Sequence, residues 1–189
     1  MYQALLADAK FHQLLLAFDK DLAAATRAGT CVRCQGALHS GRYPRKPRGR
    51  PAGLGEAYDR RFSFCCARRD CRKRKTPASL RFLGGKVYVG SMVILISAMR
   101  DGATVALQKL SELVGVNRRT IARWRKWWLN VFAASPFWRV AAAAFMPPVD
   151  KEYLPASLLE RFAGSVREQL IALLRFLGPI TGGVAMRAA

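Results

Sequence analysis

Phe11, Leu15, Phe18 and Leu22 recur at three- and four-residue intervals, with no Gly or Pro between residues 2 and 25. That stretch predicts an amphipathic helix, stopped by Gly29. A second stripe, Leu158, Phe162, Val166, Leu170, Leu173 and Leu177, predicts a long helix over 156–177, ended by Gly178-Pro179 with a frayed tail beyond. Between them the pattern changes. Residues 30–80 are rich in Cys, Arg, Gly and Pro and have no helical period, so short strands and turns fit best. One example is Arg61 to Cys66, where Phe62, Phe64 and Cys66 alternate with Ser63 and Cys65. After Gly84-Gly85 comes an apolar run, Val87 to Met99, which predicts a buried helix. Asp101-Gly102 breaks it, and two helices follow over 104–114 and 118–131. Pro136 and Pro147-Pro148 bracket an alanine-rich segment that predicts a short helix, and no internal repeat is present.

The 189 residues suffice for one good core, or two small modules with connecting helices. A hydrophobic share of 51% argues against global disorder. The run at 87–99 is thirteen residues long between Lys86 and Arg100, short of the about 20 needed to cross a bilayer. The N-terminus lacks the basic start, apolar run and small-residue cleavage site of an export signal, so a cytoplasmic protein is expected.

Charge changes the picture more. The net charge is +20, but residues 1–30 carry three basic and three acidic side chains. Residues 41–75 carry thirteen basic and three acidic, and residues 117–140 carry six basic and none acidic. Positive charge concentrated in this way favours a polyanion, because each cation set against a phosphate releases condensed counterions. Double-stranded DNA, with nucleoid association, is the expected partner; anionic membrane is the competing surface and is not expected.

Five cysteines at irregular spacing point to metal ligation rather than a disulfide framework. Cys31-Val-Arg-Cys34 has the gap that turns both thiolates of a tight knuckle toward one ion. The second half is Cys65-Cys66-Ala-Arg-Arg-Asp-Cys71. Four thiolates close a tetrahedral shell around structural Zn2+, so one cysteine is spare. Alternation with Phe62 and Phe64 favours Cys66 with Cys31, Cys34 and Cys71; Cys65 is the alternative to Cys66, and His39 a less favoured ligand. Arg33, Arg68, Arg69, Arg72, Lys73 and Arg74 would offset the charge of a four-thiolate site.

The stretch from Leu110 to Trp128 reads as a helix-turn-helix. Leu110, Val114, Val116, Ile121 and Trp124 fall at core positions, Gly115 at the turn, and Asn117 at the N-cap of the second helix. At 3.6 residues per turn, Ile121, Trp124 and Trp128 share one arc. Arg119, Arg123 and Lys126 share the opposite arc, with Arg118 and Thr120 at the helix start. Such a face suits the major groove, where Arg bonds guanine bidentately and Lys meets phosphate. A helical hairpin with a solvated basic face is the plain alternative.

A third basic element lies between the cysteine pairs: Arg45, Lys46, Pro47, Arg48, Gly49, Arg50 and Pro51. Arg48-Gly49-Arg50 flanked by prolines has the composition of an extended minor-groove hook. A ribbon loop touching phosphates and a solvated loop are the other readings, and the phosphate-contacting loop is the favoured one. Arg72 and Arg74 add basic positions on the ribbon.

Taken in order, CxxC, an aromatic strand ending in Cys, "CRKRKTPASLRF", an apolar helix and a helix-turn-helix resemble the N-terminal part of zinc-ribbon transposases of bacterial insertion sequences. The likeness covers residues 30–130. It extends to small transposon-associated reading frames that lack the catalytic domain. The resemblance implies a ribbon and a helix-turn-helix that bind element ends. It stops where such transposases continue into a ribonuclease-H-like domain with three metal-binding carboxylates. Here the acidic residues after 130 are Asp150, Glu152, Glu160 and Glu168, on a loop and one predicted helix. No catalytic residue is therefore assigned, and the chain is expected not to be an enzyme.

The expectation is a mainly α protein with a small β zinc ribbon. Its segments are an N-terminal helix (1–29), a ribbon with the basic loop (30–83), an apolar helix plus helix-turn-helix (86–135) and a C-terminal helical segment (136–189). The expected role is a non-catalytic DNA-binding accessory of a mobile element, with a separately encoded transposase as partner and homodimerisation through the neutral helices. A transcriptional regulator and a degenerate or split nuclease are the alternatives.

Overall fold

The computed structural model describes residues 2–41, 43–45, 47–84, 86–99 and 115–182. They form a mainly α protein with a few short antiparallel strands. The N-terminal stripe gives two helices rather than one: α1 (Tyr2–Ala7) and α2 (Ala9–Ala28). Asp8 divides them, because its carboxylate caps α2 by accepting the Lys10 N–H at 2.8 Å. Along α2, Phe11, Leu15, Asp19 and Ala23 form one buried row at four-residue spacing.

Strands β1 (Leu38–Ser40), β4 (Phe64–Cys66) and β5 (Arg74–Lys75) make a three-stranded sheet in the order β1-β4-β5. Strands β2 (Tyr43–Pro44) and β3 (Arg60–Arg61) pair separately, with a single helical turn, α3 (Gly55–Tyr58), before β3. The expected strand over 61–66 is thus interrupted at Phe62-Ser63, where the chain passes from one sheet to the other. Leu38 pairs with Cys66 and Ser40 with Phe64, so their side chains share one sheet face.

Helix α4 (Gly90–Ala98) is the hub of the molecule. All nine residues are buried, as an all-round apolar helix requires. Met92, Val93, Ile94, Leu95 and Ile96 have no exposed surface, and each such burial contributes about 1.5–3 kcal/mol. Packed on α4 are α1, α5 (Arg118–Lys126) and two C-terminal helices, α7 (Ala156–Leu159) and α8 (Val166–Phe176). A six-residue π-helix, Trp127–Phe132, continues α5, where the sequence predicted α-helix to 131. Short helix α6 (Pro136–Ala141) follows, capped by Ser135, and α9 (Gly178–Thr181) comes last.

The long helix expected over 156–177 is broken. Ser165 and Glu168 form a reciprocal capping box that starts α8 afresh, and Gly164 turns the chain at φ +97°. Phe162 still reaches the core, packing against Phe145 and Phe176.

Two apolar clusters result. The larger joins α1, α2, α4, α5 and the C-terminal helices; the smaller collects Ala23, Cys31, Leu38, Phe64 and Cys66. Helix α2 contributes to both, through Phe11 and Leu15 to the first and Ala23 to the second. A buried polar network locks this arrangement. Asp19 accepts from the Arg81 Nε at 2.8 Å and from the Leu80 N–H at 2.6 Å, and Arg81 donates onward to the Tyr58 and Arg60 carbonyls. Buried Arg61 donates to the Pro77 and Thr181 carbonyls, and His12 sits between the Leu6 carbonyl and the Tyr58 hydroxyl.

Candidate metal centre and basic surface

The cysteine site is built from two matching knuckles. In the first, the Gln35 N–H bonds the Cys31 carbonyl at 2.8 Å, and Gln35 adopts φ +56° just after Cys34. In the second, the Arg72 N–H bonds the Arg68 carbonyl at 3.1 Å, and Arg72 adopts φ +47° just after Cys71. The first turn carries Cys31 and Cys34, and the second carries Cys71, beside Cys66 at the end of β4. The Sγ atoms of Cys31, Cys34, Cys66 and Cys71 all lie within 4.8 Å of one another. Cys34 and Cys66 approach to 3.4 Å, and Cys31 and Cys71 to 3.7 Å. Four sulfurs at a zinc–thiolate bond length of about 2.3 Å sit about 3.8 Å apart, so these separations fit one tetrahedral ion. Space is tight at Gly36: a Cβ there would press on Cys66 Sγ and Arg68 Cγ, both at 3.1 Å.

The backbone N–H groups of Arg33 and Cys34 pull the Cys31 thiol down to about 6, whereas Cys34, Cys66 and Cys71 are raised, Cys66 chiefly by burial. Arg33, Arg68, Arg69, Arg72, Lys73 and Arg74 are exposed on the knuckles and on β5, where they counter the negative charge of such a cluster. Cys65 lies outside the group, its thiol donating to the Arg72 carbonyl at 3.3 Å. His39 pairs with Cys65 across the strands and is exposed.

Helix α5 carries the second feature. The Asn117 side chain caps it by accepting the Arg119 N–H at 2.8 Å, and Gly115 has φ +63° in the preceding turn. Val116, Ile121 and Trp124 are buried, while Arg118, Arg119, Arg123 and Lys126 are exposed and Thr120 is half-buried. Arg123 donates to the Thr120 hydroxyl at 3.1 Å, and Arg125 turns inward to the Met99 carbonyl. The helix expected over 104–114, with Leu110 and Val114, lies outside the described residues, so of the expected helix-turn-helix the described residues include the turn at Gly115 and the helix after it.

The basic loop is docked, not extended. The Arg48 N–H bonds the Val87 carbonyl at 3.0 Å, and the Val89 N–H bonds the Arg48 carbonyl at 3.1 Å. Gly49 turns at φ +74°, and a Cβ there would overlap the end of the buried Met92 side chain, so glycine favours this close approach to α4. Arg50 grips Asp59, with its Nε 2.7 Å from one carboxylate oxygen and its Nη2 3.1 Å from the other. Arg45 donates to the Gly84 and Lys86 carbonyls. The extended form that a minor-groove hook needs is therefore not the form of Arg48-Gly49-Arg50. Of this loop's basic side chains, Arg48 is the exposed one among the described residues, Lys46 lying outside them. Arg72 and Arg74 are exposed on the ribbon.

Loop and helix are joined through one short segment. Tyr88 packs edge-on against Trp124 at 5.0 Å, and the Lys86 Nζ lies 4.1 Å over the Trp127 ring. Burial lowers the Lys86 ammonium to about 8. Residues 86–89 thus hold Arg48 by its backbone, α5 by the Trp124 indole and the π-helical turn after it by the Trp127 indole.

Sequence reasoning missed Asp19, Arg81, Arg61, His12 and Tyr58, which position the ribbon against the helices. The four-residue row Phe11, Leu15, Asp19, Ala23 was the available signal for Asp19.

The chain matches no family model, no curated protein and no solved structure. No helix among the described residues is long and apolar enough to cross a membrane.

Proposed function

We propose that this protein is a non-catalytic binder of double-stranded DNA, braced by one structural zinc ion on Cys31, Cys34, Cys66 and Cys71. The observation that carries the reading is the linkage through residues 86–89: the exposed cations of α5 and the basic loop are fastened to one segment. In this reading Arg118, Arg119, Thr120 and Arg123 meet base edges, while Lys126, Arg48, Arg72 and Arg74 meet phosphates. Zinc supplies a rigid cross-link between the two knuckles and no chemistry, because a shell of four thiolates has no open position for water.

Of the four acidic residues after 130, Glu168 is engaged in its cap, accepting from the Ser165 N–H at 2.7 Å and the Ser165 hydroxyl at 2.8 Å. In the setting that the transposase resemblance implies, the target is the end of a mobile element, and a separately encoded transposase performs the strand chemistry.

Selection from random duplexes with the zinc-loaded chain, followed by anisotropy titration between 50 and 200 mM salt as roughly the informative range, tests this. The expected result is an enriched motif with affinity that falls steeply with salt. Binding equal to random duplex in every round, or stronger binding to structured RNA, removes the proposal.

A further inference from the structure

Helix α2 and the ribbon sheet pack together at Ala23, Leu38 and Phe64 and then part, leaving a cleft of about 280 Å³. Its floor is apolar, formed by Leu16, Ala23, Phe62 and Phe64. Its rim is cationic, with Lys20 and Arg27 on α2 and Arg60 on β3, and no carboxylate lines it. Among the described residues Lys20 and Arg27 form no ion pair, and the partner of Arg60 is the exposed Glu56 at 3.4 Å.

This combination selects its occupant. A duplex is too wide to enter an opening of this size. An unstacked nucleobase would have to desolvate its hydrogen-bonding edge over a floor whose side-chain partners are the hydroxyls of Ser40 and Ser63, which is costly. A second copy of this chain, with 12 acidic residues against 32 basic ones, is a poor source of carboxylates for the same three cations. A large hydrocarbon or aromatic side chain flanked by carboxylates matches both floor and rim. We infer that the cleft between α2 and the ribbon is a docking site for an acidic segment of a partner protein, which sets one large apolar side chain over Ala23 and Phe62 and its carboxylates against Lys20, Arg27 and Arg60. The site shares none of the α5 or basic-loop residues, so it stands or falls independently of DNA binding.

A random twelve-residue peptide display library panned on the zinc-loaded full chain, with nuclease present, provides the test. Enriched peptides are expected to carry a Phe, Trp or Leu among several Asp or Glu residues. A labelled consensus peptide should lose at least about tenfold in affinity on Ala24→Trp, which fills the cleft from an exposed helix position. It should lose a similar factor on the double change Lys20→Gln and Arg27→Gln. Zinc content, melting temperature and duplex binding should hold in both variants. Four results overturn the inference: no enrichment, peptides indifferent to both variants, affinity unchanged when the apolar anchor becomes Ser, or preferential displacement by single-stranded oligonucleotide.

Discussion

Asp19 and Arg81 meet at 2.8 Å with neither side chain exposed to solvent. The pair joins α2 to the segment after the ribbon, and the Ser79 hydroxyl completes it by donating to Asp19 at 2.5 Å. Removing one partner leaves the other charged and buried, whereas removing both does not. Asp19→Leu and Arg81→Met should each lower stability by about 3–5 kcal/mol in urea unfolding. The double variant should lose clearly less than the two losses added; strict additivity would show that the pair is not coupled.

Replacing any of Cys31, Cys34, Cys66 or Cys71 by Ser should reduce bound zinc from one equivalent to a small fraction and loosen the ribbon. Cys65→Ser should leave metal content unchanged, since its sulfur lies outside the cluster. Elemental analysis of the purified variants distinguishes the two cases. Zinc lost from Cys65→Ser but kept in Cys66→Ser would reverse the ligand assignment.

On α5, Arg119→Ala or Arg123→Ala should weaken binding to a selected duplex by about 1–3 kcal/mol if the side chain reads a base. The same change should be much smaller on random duplex, as competition titration would reveal. Arg50→Ala should act differently, because its guanidinium is held by Asp59. Its loss should appear in the unfolding midpoint more than in DNA affinity.

Lys86 gives a pH signature. Its ammonium titrates near 8 when folded, below its ordinary value of 10.5, because burial disfavours the charge. Between those values the unfolded chain binds more protons, so stability rises with pH across that window. Lys86→Met should abolish this component while keeping the Arg45 contact, which uses the Lys86 carbonyl. Urea midpoints from pH 7 to 10 in wild type and variant provide the comparison; parallel curves would refute the assignment.

At Gly49, an alanine would force its Cβ onto Met92 in a backbone region that side chains avoid. Gly49→Ala should destabilise by about 1–3 kcal/mol. A loop standing free of α4 would instead tolerate the change, as a thermal melt would show.

The parts legible in the sequence were those whose cause is local. Knuckle spacing and the alternation of Phe62, Phe64 and Cys66 brought out the four sulfurs. The apolar run announced the buried helix at 90–98, and Asn117 with Ile121 and Trp124 oriented α5. What escaped depends on distant partners. An aspartate reads as surface until its arginine, sixty-two positions later, is known to meet it. The breaks at Asp8 and Ser165 had readable caps, but continuous apolar stripes on either side concealed them. Arg48-Gly49-Arg50 reads as extended until Met92 is placed beneath it.

Helix α2 runs through both packed regions, giving Ala23 to the cysteine cluster and Leu15 to the main core. It behaves as a shared axle. If the four sulfurs hold the proposed zinc ion, stripping it with a chelator should be felt beyond the ribbon, as faster amide exchange in the helices and as a weaker grip on duplex DNA by arginines that never touch the metal.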